Sequence, residues 1–96
     1  MKIEILYSAI DDLIEGFTFY EGKSQGLGEY FLDSLYSDIE SLHLNAGVHA
    51  IYLGYHRSLS KRFPFAIYYK IYRKTVRVFA VLDCRRNPTW IRKKLT

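Results

Sequence analysis

The sequence predicts an α+β domain: a short strand, a helix hairpin, then an antiparallel β-sheet. Three observations carry that class. Apolar residues recur at helical spacing from Ile10 to Leu42, the period changes to β-type past Gly47, and two β-rich runs, Phe65–Tyr72 and Thr75–Leu82, flank Arg73-Lys74. At 96 residues there is room for one core, so residues 1–96 read as a single domain. There is no internal repeat, low-complexity tract or linker.

Lys2 to Leu6 alternates polar and apolar residues and suits a strand. Ser8 is expected to open the first helix, because its spacing to Asp11 matches a capping box and Asp11, Asp12 and Glu15 suit the positive end of a helix dipole. Ile10, Leu13, Ile14, Phe17 and Tyr20 then define one apolar face. Gly22 to Gly26 reads as a tight connection. A second helix from about Leu27 to Leu44 puts Phe31, Leu32, Leu35, Tyr36, Ile39 and Leu42 on one side, with Glu29, Asp33, Ser37 and Glu40 opposite, and Asn45-Ala46-Gly47 ends it. Two such helices joined by a short loop form an antiparallel hairpin.

Ile51–Phe63 reads as an irregular strand broken near Gly54, limited by Pro64. The two runs after it form a hairpin turning at Arg73-Lys74. One face then carries Ile67, Tyr69, Ile71, Val76, Val78, Ala80 and Leu82, apolar enough to receive the helices. The other carries Tyr68, Lys70, Tyr72, Arg77 and Phe79, and in this register Lys70 faces Arg77, a like-charge pair that needs the side chains to splay or an anion to bind. That face is the expected working surface.

Charge is distributed unevenly. Up to Tyr55 the bases are Lys2 and Lys23 against nine carboxylates; from His56 onward twelve Lys and Arg stand against Asp83 alone. A solvated basic sheet edge that deters aggregation needs fewer charges than that, so the cationic part is read as a surface for an anionic partner, nucleic acid or an acidic protein segment. One cysteine, Cys84, excludes an internal disulfide, and no Cys/His spacing suits zinc, so no metal or cofactor is expected and a reducing cytoplasm fits. Neither a signal-peptide core nor a membrane span is evident.

The run Lys61-Arg62-Phe63-Pro64-Phe65-Ala66-Ile67-Tyr68-Tyr69-Lys70-Ile71, then Val78 to Pro88, then Trp90 and Arg92, resembles the core of ParE-like toxins of the RelE/ParE toxin–antitoxin superfamily, also met as plasmid stabilisation toxins. The order of elements agrees over nearly the whole chain. The resemblance implies a helix hairpin on a curved antiparallel sheet, and a toxin neutralised by a cognate antitoxin whose acidic or amphipathic carboxy-terminal segment folds onto it. ParE-type members poison DNA gyrase by contact; RelE-type members cut messenger RNA on the ribosome. In RelE-like nucleases an arginine commonly precedes the central strand's apolar-Tyr core, and the last strand commonly ends in an aromatic. Here those places read Ala66 and Arg85-Arg86, so the acid–base pair that ribose cleavage needs is not evident. ParE-like chains often carry Leu-His where this one has Leu82-Asp83, and an acid there repels RNA phosphate. Gyrase inhibition without catalysis is therefore the first reading. A RelE-type ribosome-dependent endoribonuclease, or an inactive toxin-like binding module, is the alternative.

The residues expected to meet a target or partner are Arg57, Arg62, Tyr68, Lys70, Arg77, Arg85, Arg86, Trp90 and Arg92. Each has a blander reading. The arginines could solvate the sheet end, Trp90 could pack the tail on the core, and Asp83 most simply pairs with its neighbouring arginines. His43, His49 and His56 lack a supporting carboxylate or cysteine and read as structural or exposed.

Overall fold

The alternating residues Lys2–Ile5 form β1, followed by α1 (Tyr7–Lys23), α2 (Leu27–Glu40), the single turn α3 (Leu42–Asn45), β2 (Ile51–Tyr52), β3 (Tyr55–Leu59), β4 (Phe65–Tyr72), β5 (Thr75–Asp83) and α4 (Pro88–Leu95), in a computed structural model that describes residues 1–96. The strands make one sheet in the order β1-β5-β4-β3-β2. It is mixed rather than wholly antiparallel, because β1 runs parallel to β5, with Ile3 opposite Val76 and Ile5 opposite Val78. The α1–α2 hairpin covers one face, as its apolar stripes predict. The sequence reading left out α4, which covers the other face with Ile91 and Leu95. Asn87 caps α4, its side chain accepting from the Thr89 N–H at 2.7 Å, with Pro88 at the first helical position.

The β4–β5 hairpin turns at Arg73-Lys74 with Tyr72 opposite Thr75, as expected, and Arg73 takes a left-handed φ of 57°. The facing of β5 needs correction. A bulge sets Tyr69 opposite Val78 but Tyr68 opposite Ala80, leaving Phe79 as the extra residue. Every side chain beyond it changes face. Val81, not Ala80 or Leu82, joins Phe65, Ile67, Tyr69, Val76 and Val78 under the helix hairpin, while Ala66, Tyr68, Ala80 and Leu82 lie under α4.

Four smaller expectations also change. α1 is rotated from its predicted face: Ala9, Asp12, Leu13 and Gly16 are buried, and Ile14 is 56% exposed. Ser8 makes no cap; its hydroxyl donates to the Phe79 carbonyl at 2.6 Å. The second helix breaks at Ser41, whose hydroxyl bonds back to the Asp38 carbonyl at 2.6 Å and competes with the helical ladder. The irregular strand is a small hairpin, β2–β3, turning through left-handed Leu53 (φ 52°) and Gly54 (φ 86°), the pair of positive angles a type I′ turn needs.

Ser8 and Asp12 explain the rotation of α1. β1 ends opposite Val78, so β5 beyond that point has no strand on its outer edge. Ser8 meets the Phe79 carbonyl, and Asp12, one turn further, accepts the Val81 N–H at 3.0 Å. Two side chains of a helix finish an edge that β1 is too short to cover. Burial pushes the Asp12 carboxyl above its ordinary range, against the Val81 bond and Lys94, whose Nζ lies 3.6 Å away.

Candidate functional site

The sheet separates the charges. Asp11, Glu15, Glu29, Asp33 and Glu40 are exposed on the α1–α2 layer, whereas Lys70, Arg77, Arg86, Arg92, Lys93 and Lys94 are exposed on the hairpin end and the α4 side. An anionic partner is therefore attracted to one face and repelled from the other over a distance comparable to a Debye length of about 10 Å.

Around α4 the expected site residues fall into separate groups. Arg57 lies on β3 opposite Tyr68; its Nε donates to the Tyr68 hydroxyl at 3.2 Å, Nη2 reaches Cys84 Sγ at 3.6 Å, and the guanidinium lies 5.9 Å from the Tyr52 ring centre. Tyr68 itself is only 1% exposed, so it is a core residue of the α4 layer and not part of an open face. Burial raises its phenol pKa and keeps it protonated at neutral pH. Lys70 and Arg77 do face each other and splay: Lys70 Nζ sits 4.6 Å from the Tyr55 ring centre and 5.7 Å from that of Phe79, while Arg77 turns to Glu4 at 3.5 Å and to the Tyr72 ring at 5.4 Å. Cation–π contacts and the Glu4 carboxylate thus relieve the repulsion.

Arg85 and Arg86 are neighbours with different duties. Arg85 forks onto Asp83, with Nη2 at 2.8 Å and Nε at 3.0 Å, and reaches the Tyr20 hydroxyl at 3.4 Å on α1. Those bonds hold the Asp83 carboxyl below its ordinary range, so it is ionised at neutral pH. Arg86 makes no ion pair; its guanidinium lies 3.9 Å from the centre of the half-buried Trp90 ring. Arg92 is exposed on α4. Arg62 is elsewhere: its Nη1 donates to the Tyr30 hydroxyl of α2 at 3.2 Å, beside Asp33 and Asp38, so it belongs with the helix layer.

Sequence reasoning missed a cleft of about 180 Å³ between α1, the end of β5 and α4, lined by Asp12, Glu15, Gly16, Phe19, Phe65, Val81, Leu82, Asp83, Arg86 and Trp90. Without α4 there was no second wall to infer. The solvent-facing Phe19 was the one available signal, an aromatic off the main apolar stripe of α1.

Two of the histidines, His49 and His56, pack around Tyr69, and one supplies a test. Tyr69, wholly buried, accepts the Gly47 N–H at 2.9 Å and bonds His49 Nδ1 through its hydroxyl, while His56 stacks on the same ring at 5.0 Å and bonds the His49 carbonyl at 2.8 Å. The Tyr69 hydroxyl can donate to His49 Nδ1 only while that nitrogen carries no proton, and this arrangement belongs to the neutral imidazole. Burial, then His56, lower its pKa from the ordinary 6.5. A depressed folded-state pKa gives stability that is present above pH 6.5 and lost as pH falls through the folded value. His49→Gln, which can still accept from Tyr69, is expected to flatten the fall in melting temperature between pH 7.5 and 5.0. An unchanged fall would place its origin elsewhere.

No protein-family model and no curated protein matches the sequence. The fold does match: the chain is similar to a solved chain of the chromosomal ParDE TA system from P. aeruginosa, with a TM-score of 0.70 at 15% identity, over 84% of this chain and 92% of that one. The chain thus has the α+β fold of that structure, a helix hairpin on a five-stranded mixed sheet.

Proposed function

We propose that the chain is the toxin of a type II toxin–antitoxin pair, ParE-like, acting in the cytoplasm by contact with DNA gyrase and neutralised by a cognate antitoxin. The observation that carries this reading is the segregation of charge across a fold shared with a ParDE structure. A cationic face backed by an acidic helix layer suits an acidic protein segment, and Arg86, stacked on Trp90 and in no direct ion pair, is its best-placed hydrogen-bonding group. No helix is long and apolar enough to cross a membrane.

Contact without hydrolysis is favoured over RelE-type cleavage on two grounds. Ala66, where a nuclease of that type carries arginine, is wholly buried under α4, and an arginine there would displace the helix. Tyr68, the nearest phenol, is enclosed and bonded to Arg57, out of reach of a ribose. The test is induced expression in bacteria with and without the adjoining gene, scoring growth, the DNA-damage response and message integrity together. Arrest with DNA damage and intact messages is the expected result; arrest with cleaved messages, or no arrest, would overturn it.

The same surface gives a binding prediction. Arg85→Ala with Arg86→Ala is expected to weaken antitoxin or gyrase binding about tenfold or more, equivalent to about 1.4 kcal/mol. The melting temperature should fall little, since Arg85 is 58% exposed and a solvent-screened pair stabilises by about 0–1 kcal/mol, even though the Asp83 side chain it holds is 20% exposed. Arg86→Ala alone should account for most of the binding loss. Unchanged affinity, measured by calorimetry, would remove these arginines from the interface.

A further inference from the structure

We infer that the cleft between α1, the end of β5 and α4 seats an aromatic side chain carried beside a carboxylate, and that its occupant is the acidic segment of the neutralising partner. The source of the ligand rests on the toxin reading; the chemistry rests on the cleft alone. Its volume of about 180 Å³ is enough for one ring, since an apolar cavity of about 150 Å³ accepts benzene. Phe65, Val81 and Leu82 form its apolar lining, and Phe19 and Trp90 flank it on α1 and α4. Phe19 is 51% exposed, so an aromatic guest would bury surface that the chain alone leaves in water.

Charge sets the guest's orientation. Of the carboxylates around the cleft, Asp83 is taken by Arg85 at 2.8 Å, and Asp12 by the Val81 N–H and Lys94. Glu15, on the α1 side, has no cation within ion-pair distance, and Arg86, on the α4 side, has no carboxylate within that distance, Asp83 acting on it only at longer range. A guest's carboxylate is thus repelled from α1 and drawn to Arg86. The guanidinium is already stacked on Trp90, which limits the freedom it loses on binding.

The experiment is an NMR titration of the full chain with phenylacetate, benzyl alcohol, benzylamine and acetate. Phenylacetate is expected to shift the Trp90 indole N–H and the Gly16 and Val81 amides with roughly millimolar affinity, benzyl alcohol to bind about tenfold more weakly, and acetate alone to leave those signals in place. Arg86→Gln, an exposed change that spares the fold, should abolish the difference between the two aromatic probes. Absence of shifts at the cleft, equal shifts with acetate, stronger binding of benzylamine, or a preference that survives Arg86→Gln would each overturn the inference. The outcome is independent of growth arrest: a chain that binds phenylacetate without arresting growth keeps the cleft chemistry and loses the toxin reading.

Discussion

Phe31→Ala is expected to destabilise the protein by about 3–5 kcal/mol. Phe31 has no solvent exposure and its ring centre lies 4.9 Å from that of Phe65, 5.1 Å from Phe63 and 5.2 Å from Tyr20, so one ring each from β4, the loop before β4 and α1 loses a neighbour at once. A domain of this size has about 5–15 kcal/mol to lose, and an urea melt reads the change directly. Gly16→Ala tests the same contact from the other side. A Cβ there would stand 2.4 Å from Phe31 Cζ, and the enclosed ring has nowhere to swing. Helix propensity alone favours alanine by about 1 kcal/mol, so a net loss of about 1–3 kcal/mol would show that crowding wins. In the double variant the added methyl fills part of the space the ring left, and the losses should sum to less than the two alone. A Phe31→Ala loss under about 1 kcal/mol would contradict this packing.

Asp12→Ala is expected to lower stability by about 1–3 kcal/mol, whereas Asp12→Asn should leave it unchanged or raise it. Alanine strands the Val81 N–H on an edge that no strand covers; asparagine keeps an acceptor there. The sign follows from the carboxyl's pKa. It is raised above the ordinary 3.8, chiefly by burial, so the stability linked to it is present below that value and lost as pH rises through the folded pKa. At neutral pH the ionised group is therefore a cost that asparagine removes. The attraction to Lys94 that asparagine forgoes is small, because the lysine side chain is 41% exposed and screened by solvent. Equal losses in both variants would show that charge, not the acceptor, holds α1 to β5.

Local pattern was enough for much of the architecture. The helical spacing of Phe31, Leu35, Ile39 and Leu42 is buried as read, the Arg73-Lys74 turn sets the register that puts Lys70 opposite Arg77, and the acidic and basic parts of the chain do form opposite layers. These follow from period and composition, which act between near neighbours, and the separation of charge is incomplete where Arg62 and Lys61 join the acidic helix layer beside Asp33 and Asp38. Long-range pairing decided the rest. The bulge at Phe79 inverts the last residues of β5, the short β1 recruits Ser8 and Asp12 as edge partners, and α4 encloses Tyr68 while leaving Arg86 on Trp90 as a free cation. None of these leaves a local signature, because each depends on where one element ends relative to another distant in the chain, and a hydrogen bond or a cleft between them exists only once both have been placed.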